Sequence, residues 1–277
     1  MSSVTKILVV NIKRRRCELI ALIAGLFVLC NAAITNFVFE CDAEQLKSIT
    51  FADFFAAPLI GGISLQPLSK ALHPIPFQWM GICLFSMLWT MLAPLGRMGK
   101  ENGYFILATG NRIAWYVADI VWLLIGALLL LVALCVSSLA WTITQGAGFG
   151  ASVLALCNVL LDDDYLSSNP HVTGGMLASF PLALFSINCI VLNVLSHFGE
   201  MPAFVLSIFI VASAPCYPSG LFIGRFLCLA CYASISSEGL DAAIGCIAFF
   251  VLALISVVLY WIRVNRMDIS FGQEVLQ

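Results

Sequence analysis

Apolar residues in this chain are gathered into long runs. Six of them stand out: Leu19 to Phe39, Phe77 to Leu95, Ala114 to Thr144, Met176 to His197, Pro202 to Pro215 and Leu240 to Ile262. A helix needs about 20 such residues to cross the hydrocarbon layer. The third run exceeds that and must tilt or project, whereas the fifth is short. Lipid offers no partner to a free backbone amide, and strand-like alternation is missing, so each run is expected to be helical. The pattern predicts an all-α, polytopic bundle of six transmembrane helices in a single domain.

Two further stretches are apolar but too short to be plain spans. Gly146, Gly148 and Gly150 precede Ala151 to Leu161, which ends in Asp162, Asp163 and Asp164. This reads as an interfacial or re-entrant helix. Pro215 and Pro218 break the chain before Leu221 to Ile235, an apolar run carrying Arg225. A second partial helix, dipping in from the outer face, is expected there.

Composition removes the soluble alternatives. Hydrophobic residues make up 61% of the chain and charged residues 10%, where about 25% charged is ordinary. Too few polar residues remain to coat a soluble particle, which excludes a soluble enzyme; the same figures exclude disorder. A net charge of −2 gives no basic footprint for nucleic acid.

Charge orients the spans. Lys6, Lys13, Arg14, Arg15 and Arg16 precede the first span, Arg97, Lys100 and Arg112 lie between the second and third, and Arg263 and Arg266 follow the last. With an even number of spans, ten of the 13 basic residues share one side, which the positive-inside rule makes the cytoplasm. Both termini are then cytoplasmic, and the acids Glu40, Asp42, Glu44, Asp53 and Asp162 to Asp164 lie outside. A basic stretch before an apolar run also suits a secretory signal, but no small-residue cleavage pattern follows at Leu29 to Ala33. The first run is expected to be retained.

The cytoplasmic connection between the second and third spans carries the most information. Glycines bracket a short apolar and aromatic stretch from Gly103 through Tyr104, Phe105 and Leu107 to Gly110. Asn111 is a plausible helix cap, and Trp115 and Tyr116 sit at interfacial depth. This can be a plain loop or a short surface helix that docks a cytoplasmic partner. The order from Gly103 to Arg112, followed by Trp115, resembles the stretch joining spans two and three in permease subunits of type-2, six-span ABC exporters. Ala108 stands where that pattern has arginine and Asn111 where it has serine. The basic N-terminal segment and the broken hairpin before the last span agree with the same family.

The resemblance implies that Gly103, Tyr104, Phe105, Leu107, Gly110, Asn111 and Arg112 dock on an ATPase. The chain has no nucleotide site of its own: its only Gly-Lys pair, Gly99-Lys100, is followed by Glu101, with Pro94 where a P-loop would begin with glycine. ATP-Mg would therefore be bound by a separate ATPase subunit. A six-span permease would pair with a second, as homodimer or heterodimer, to enclose a route through the cell membrane. The expected activity is outward movement of an amphipathic peptide, lipid or drug, with no catalytic residue, metal or resident cofactor in this chain. The other readings are an ATP-independent secondary transporter or channel, and a non-transporting immunity or assembly protein.

Ionisable and amide side chains within apolar runs are candidates for translocation or packing. Asp119 lies two helical turns from Arg112 and on the same face, which suggests a local pair. Arg225 either snorkels to headgroups or binds an acidic group; Glu238 and Asp241 either pair with it or cap the last span. Asn31, Asn36, Asn188 and Asn193 can hydrogen-bond between helices. His73, His171 and His197 stand apart, and neither a metal-ligand spacing nor a G-x-S-x-G element occurs. Of 11 cysteines, Cys228 and Cys231 form a C-x-x-C, but without a second pair or a redox-domain pattern. Cys41 and Cys216 face the outside and could bridge.

Overall fold

The computed structural model describes residues 3–60, 77–92, 112–160, 167–214, 223–236 and 239–266. Its helices are α1 (Ser3–Arg14), α2 (Arg16–Glu40), α3 (Ala43–Ser48), α4 (Phe51–Ala56), α5 (Phe77–Met91), α6 (Arg112–Gln145), α7 (Leu154–Leu160), α8 (Gly174–Phe198), α9 (Glu200–Ser213) and α10 (Ala242–Arg266). Single 3₁₀ turns occupy Ala57–Leu59, Ile223–Leu227 and Leu229–Cys231. Among the described residues the only β pairing consists of isolated bridges.

Four helices, α2, α6, α8 and α10, are long and apolar enough to cross a membrane. At 1.5 Å per residue the 34 residues of α6 extend about 51 Å, well beyond a 30 Å hydrocarbon layer. The described parts of α5 and α9, 15 and 14 residues, rise only about 22 and 21 Å. Large apolar side chains stay exposed along whole faces: Leu124, Leu128, Val132 and Val136 on α6, and Ile247, Val251, Leu254 and Val258 on α10. Spaced by three or four residues, they line one side of each helix. Stripes of this size would aggregate in water, and lipid is the medium that covers them. This is a membrane-embedded helical protein.

Hydrogen bonds at the helix ends fix the course of the chain. At one end Asn11 Nδ2 donates to the Leu92 carbonyl at 3.2 Å, joining α1 to the end of α5. There too Arg112 Nη1 donates to the Asn265 carbonyl at 2.8 Å, joining the start of α6 to the end of α10. At the other end Trp79 Nε1, on α5, donates to the Leu227 carbonyl at 2.8 Å, and the amide of Phe51 donates to the Gly148 carbonyl at 2.9 Å. Gly199 reverses the chain from α8 into α9 at φ +90°, a conformation in which only glycine escapes a Cβ clash. Thus α2, α5, α6, α8, α9 and α10 run alternately between the two ends.

They pack as two groups, α2 with α5 and α6, and α8 with α9 and α10, which meet where α5 touches α8 and α9 and where α6 touches α8 and α10. Helix α8 is central and α10 peripheral: 61% and 22% of their most apolar windows are buried. The end farther from α1 is closed by α3, α4 and α7. Asp53 ties this layer together, receiving the Thr50 amide on Oδ2 and the Leu156 amide on Oδ1, at 2.8 and 2.9 Å. Burial pushes the Asp53 carboxyl above its ordinary range, and these donors pull the other way.

The helices lie close to the expected runs. The first, third, fourth and sixth begin and end within a few residues of the hydropathy limits, and α7 falls inside the expected partial helix at Ala151 to Leu161. Two features differ. Leu221 to Ile235 does not form one partial helix, because the described part, from Ile223, makes two short 3₁₀ turns that give backbone donors and acceptors to other elements. The basic N-terminal segment is a separate helix, α1, which buries Ile7 and Asn11 and leaves Lys6, Lys13 and Arg14 outward.

Candidate functional site: the junction of α6 with α10

Gly103, Tyr104, Phe105, Leu107, Gly110 and Asn111 lie outside the described residues. Arg112 is described, as the first residue of α6. Its guanidinium reaches across to α10 and satisfies the Asn265 carbonyl, one of the last-turn acceptors that a helix leaves free. One turn further along α6, Tyr116 donates its hydroxyl to the Val257 carbonyl at 3.2 Å. Its ring stacks on Tyr260, with centroids 5.9 Å apart, and meets Trp261 edge-on at 4.9 Å. Almost one turn beyond, Asp119 accepts a hydrogen bond from the Tyr260 hydroxyl on Oδ2; both side chains are buried. Three contacts thus rise from Arg112 in helical register and fasten the first two turns of α6 to the last three of α10.

This corrects one expectation. Arg112 and Asp119 do share a face, but Arg112 turns to Asn265 and Asp119 to Tyr260 in place of pairing locally. Neither partner is legible in sequence, since Tyr260 lies 141 residues from Asp119. The available signal is that a phenol near the basic end of the last span is one of the few groups able to satisfy a carboxylate there.

The hairpin of α5 and α6, from which residues 93–111 emerge, is held by a second contact that sequence reasoning missed. Trp89 Nε1 donates to the Trp122 carbonyl at 2.8 Å, and Trp122 Nε1 donates to the Trp89 carbonyl at 3.0 Å. The two indoles stack 4.6 Å apart at 15°. Gly126 makes room, for a Cβ built there would lie 2.8 Å from Trp89 Cγ and closer still to its Cδ1.

The asparagines divide by role. Asn31 on α2 donates to Ser137 Oγ at 3.2 Å and accepts from Trp141 Nε1 at 3.1 Å, both on α6. Asn193 on α8 donates to the Ser256 carbonyl of α10 at 2.9 Å. These two bond between helices. Asn188, also on α8, is fully buried, with neither Oδ1 nor Nδ2 bonded. Its position, in the helix shared by both groups, makes it a residue whose polar head has no use in this conformation.

Arg225 does not snorkel: it is only 4% exposed, within the 3₁₀ turn Ile223–Leu227 and beside Cys231. Asp241 caps α10, its Oδ1 accepting the Ala243 amide at 2.8 Å. Among the described residues no group of three or more His, Cys, Asp or Glu could hold a metal ion. No family model, curated protein or solved structure matches this chain.

Proposed function

We propose that the chain is the permease subunit of an ABC exporter, crossing the cell membrane six times with both termini in the cytoplasm. A separate ATPase subunit binds ATP-Mg and drives the outward movement of an amphipathic cargo. In this reading α5 and α9 lie in the second and fifth spans, the short fifth run being accommodated by local thinning of the bilayer. Helix α1 lies along the cytoplasmic surface, its basic residues facing anionic headgroups. A second permease, identical or different, completes the route.

The observation that carries this reading is the junction of α6 with α10. The connection proposed to dock on the ATPase, Gly103 to Arg112, runs directly into the residue that begins that junction. A push on the connection is therefore passed to α6 and α10 together. Because α6 and α10 belong to different helix groups and both pack on α8, the push acts on the interface between the groups. Packed elements of this kind switch between discrete arrangements and convert a small displacement into a rigid-body motion.

Co-purification tests the docking. The reading predicts that the chain copurifies with a Walker-motif ATPase, and that deleting residues 103–110 abolishes the complex while the chain still inserts and folds. Arg112→Glu should weaken both assembly and coupled ATP hydrolysis. Full assembly and coupling in the deletion variant would refute it, and transport persisting without ATP would favour the secondary transporter.

A further inference from the structure

Where the two helix groups meet, α5, α8 and α9 pack on one another. They bury four uncharged polar side chains, Ser86 and Thr90 on α5, Asn188 on α8 and Ser207 on α9, at 0–2% exposure. Trp79 shares a face of α5 with Ser86 and Thr90, and its bond to the Leu227 carbonyl turns that face toward a segment packed on α8 and α9. Gly81 and Phe85, on the other side of α5, meet Leu29 and Gly25 of α2. Asn188 lies about 150° round α8 from Ser186 and Asn193, which both bond α10, so it turns away from α10. Depth agrees as well. Trp79 and Ser179 reach the same segment, for Ser179 Oγ donates to the Tyr232 hydroxyl at 2.8 Å, which donates to the Phe226 carbonyl at 2.9 Å. Counted from that level along α5 and α8, Ser86, Asn188 and Thr90 lie about 10, 13 and 16 Å further on; counted from the turn at Gly199, Ser207 lies within about 5 Å of Asn188 in depth. Ser86 and Ser207 donate to the Cys83 and Ala203 carbonyls of their own helices at 2.7 and 2.9 Å, which leaves their oxygens to accept. The Thr90 hydroxyl and both ends of the Asn188 amide are unbonded.

We propose that this seam is the cargo site and that it takes the neutral amide groups of an apolar peptide. An amide both donates and accepts, and Asn188 matches it at two points, Oδ1 receiving its N–H and Nδ2 donating to its carbonyl. The Thr90 hydroxyl supplies a further donor, and the Ser86 and Ser207 oxygens further acceptors. A phosphate or carboxylate would bring in a charge that none of the four residues balances. The seam is shut in this structure, and burying an amide without a partner is unfavourable, so the closed packing holds Asn188 in a state that a bound peptide relieves. It opens as α8 and α9 move against α5. This site rests on the transport reading and narrows its amphipathic cargo to peptide.

The reporter is Ser207→Cys in the full-length chain, since the hydroxyl it removes is bonded within α9. In native membranes, peptide mass spectrometry times its reaction with the water-soluble reagent methanethiosulfonate ethyltrimethylammonium. The new thiol should react while native Cys30, fully buried on α2, stays unmodified, which also shows that each variant is folded. Acetyl-trileucine amide should slow the reaction, about threefold once its concentration is about twice its Kd, and its free-acid counterpart should protect less. Adding Asn188→Leu should leave the thiol reactive and remove the protection. A thiol that reacts only when Cys30 also does would overturn the proposal, as would absence of protection by the amide. Equal protection by the free acid, or protection that survives Asn188→Leu, would overturn the assigned ligand and residue. All of this is read without ATP, so failure here beside a copurifying ATPase would sink this site alone, whereas a protected seam without such a partner would sink the ABC reading.

Discussion

Gly126→Ala is a one-methyl change with a large expected effect. The new Cβ falls 2.8 Å from Trp89 Cγ and Nε1, and closer still to Cδ1. The indole has little freedom to yield, since its Nε1 is bonded to the Trp122 carbonyl and its face is stacked on Trp122. Overpacking a tight core costs about 1–3 kcal/mol. If the ring swings away, about 1 kcal/mol goes with the hydrogen bond and about 1 kcal/mol with the stack. The expected loss is about 3 kcal/mol, a large share of a typical protein's stability. Trp89→Phe costs about 2 kcal/mol alone, through the lost donor and the space left behind. It also shortens the ring that the added methyl would strike, so the double variant should fall short of the sum by at least about 1.5 kcal/mol. Equilibrium unfolding in mixed micelles measures all three. A neutral Gly126→Ala, or strict additivity, would refute the clasp as drawn.

Other consequences can be measured singly. Tyr260→Phe strips a donor from the buried Asp119 carboxylate and should destabilise by about 2–3 kcal/mol, with Asp119→Asn recovering part of that loss in the double variant; additive losses would contradict the pairing. Asn188→Leu replaces an unbonded buried amide with an apolar side chain of similar size, and should be neutral or stabilise by about 1–2 kcal/mol in unfolding experiments while lowering transport. A clear destabilisation would show that the amide is satisfied. Burial, with Asp53, Glu40 and Asp42 nearby, pushes the Cys41 thiol up to about 11. Its thiolate fraction at pH 8 is then about 10⁻³, against roughly a quarter for an ordinary thiol, so alkylation should rise about tenfold per pH unit until the pH nears 11. A plateau near pH 9 would mean that Cys41 is open to solvent.

What could be read from the sequence followed length. Runs such as Ala114 to Thr144 announce themselves, because only a membrane accepts so many apolar residues in one helix. Glu200–Ser213 is different, since a run as short as Pro202 to Pro215 fits a short span and a buried core helix equally well. Its place between the two ends emerges only from the reversal at Gly199 and its packing on α5 and α8. Composition made Leu221 to Ile235 look like helix, and nothing in its pattern separates a helix from 3₁₀ turns that bury an arginine against a cysteine. Asp119 was identifiable as an unusual charge, but not its partner, because pairing across 141 residues depends on how α6 and α10 meet. Short-range spacing suggested Arg112 instead. The reverse holds for Asn188, where hydropathy revealed an anomaly and the structure sharpened it by leaving both polar atoms unbonded.

In the proposed function residues 103–112 seat the ATPase, and a photo-activatable amino acid at Phe105, introduced into the full-length chain in its native membrane, should capture it. Irradiation should give an adduct that mass spectrometry identifies as a Walker-motif ATPase, with a yield that changes when ATP is added. Adducts confined to lipid, or to a protein without a nucleotide site, would contradict it.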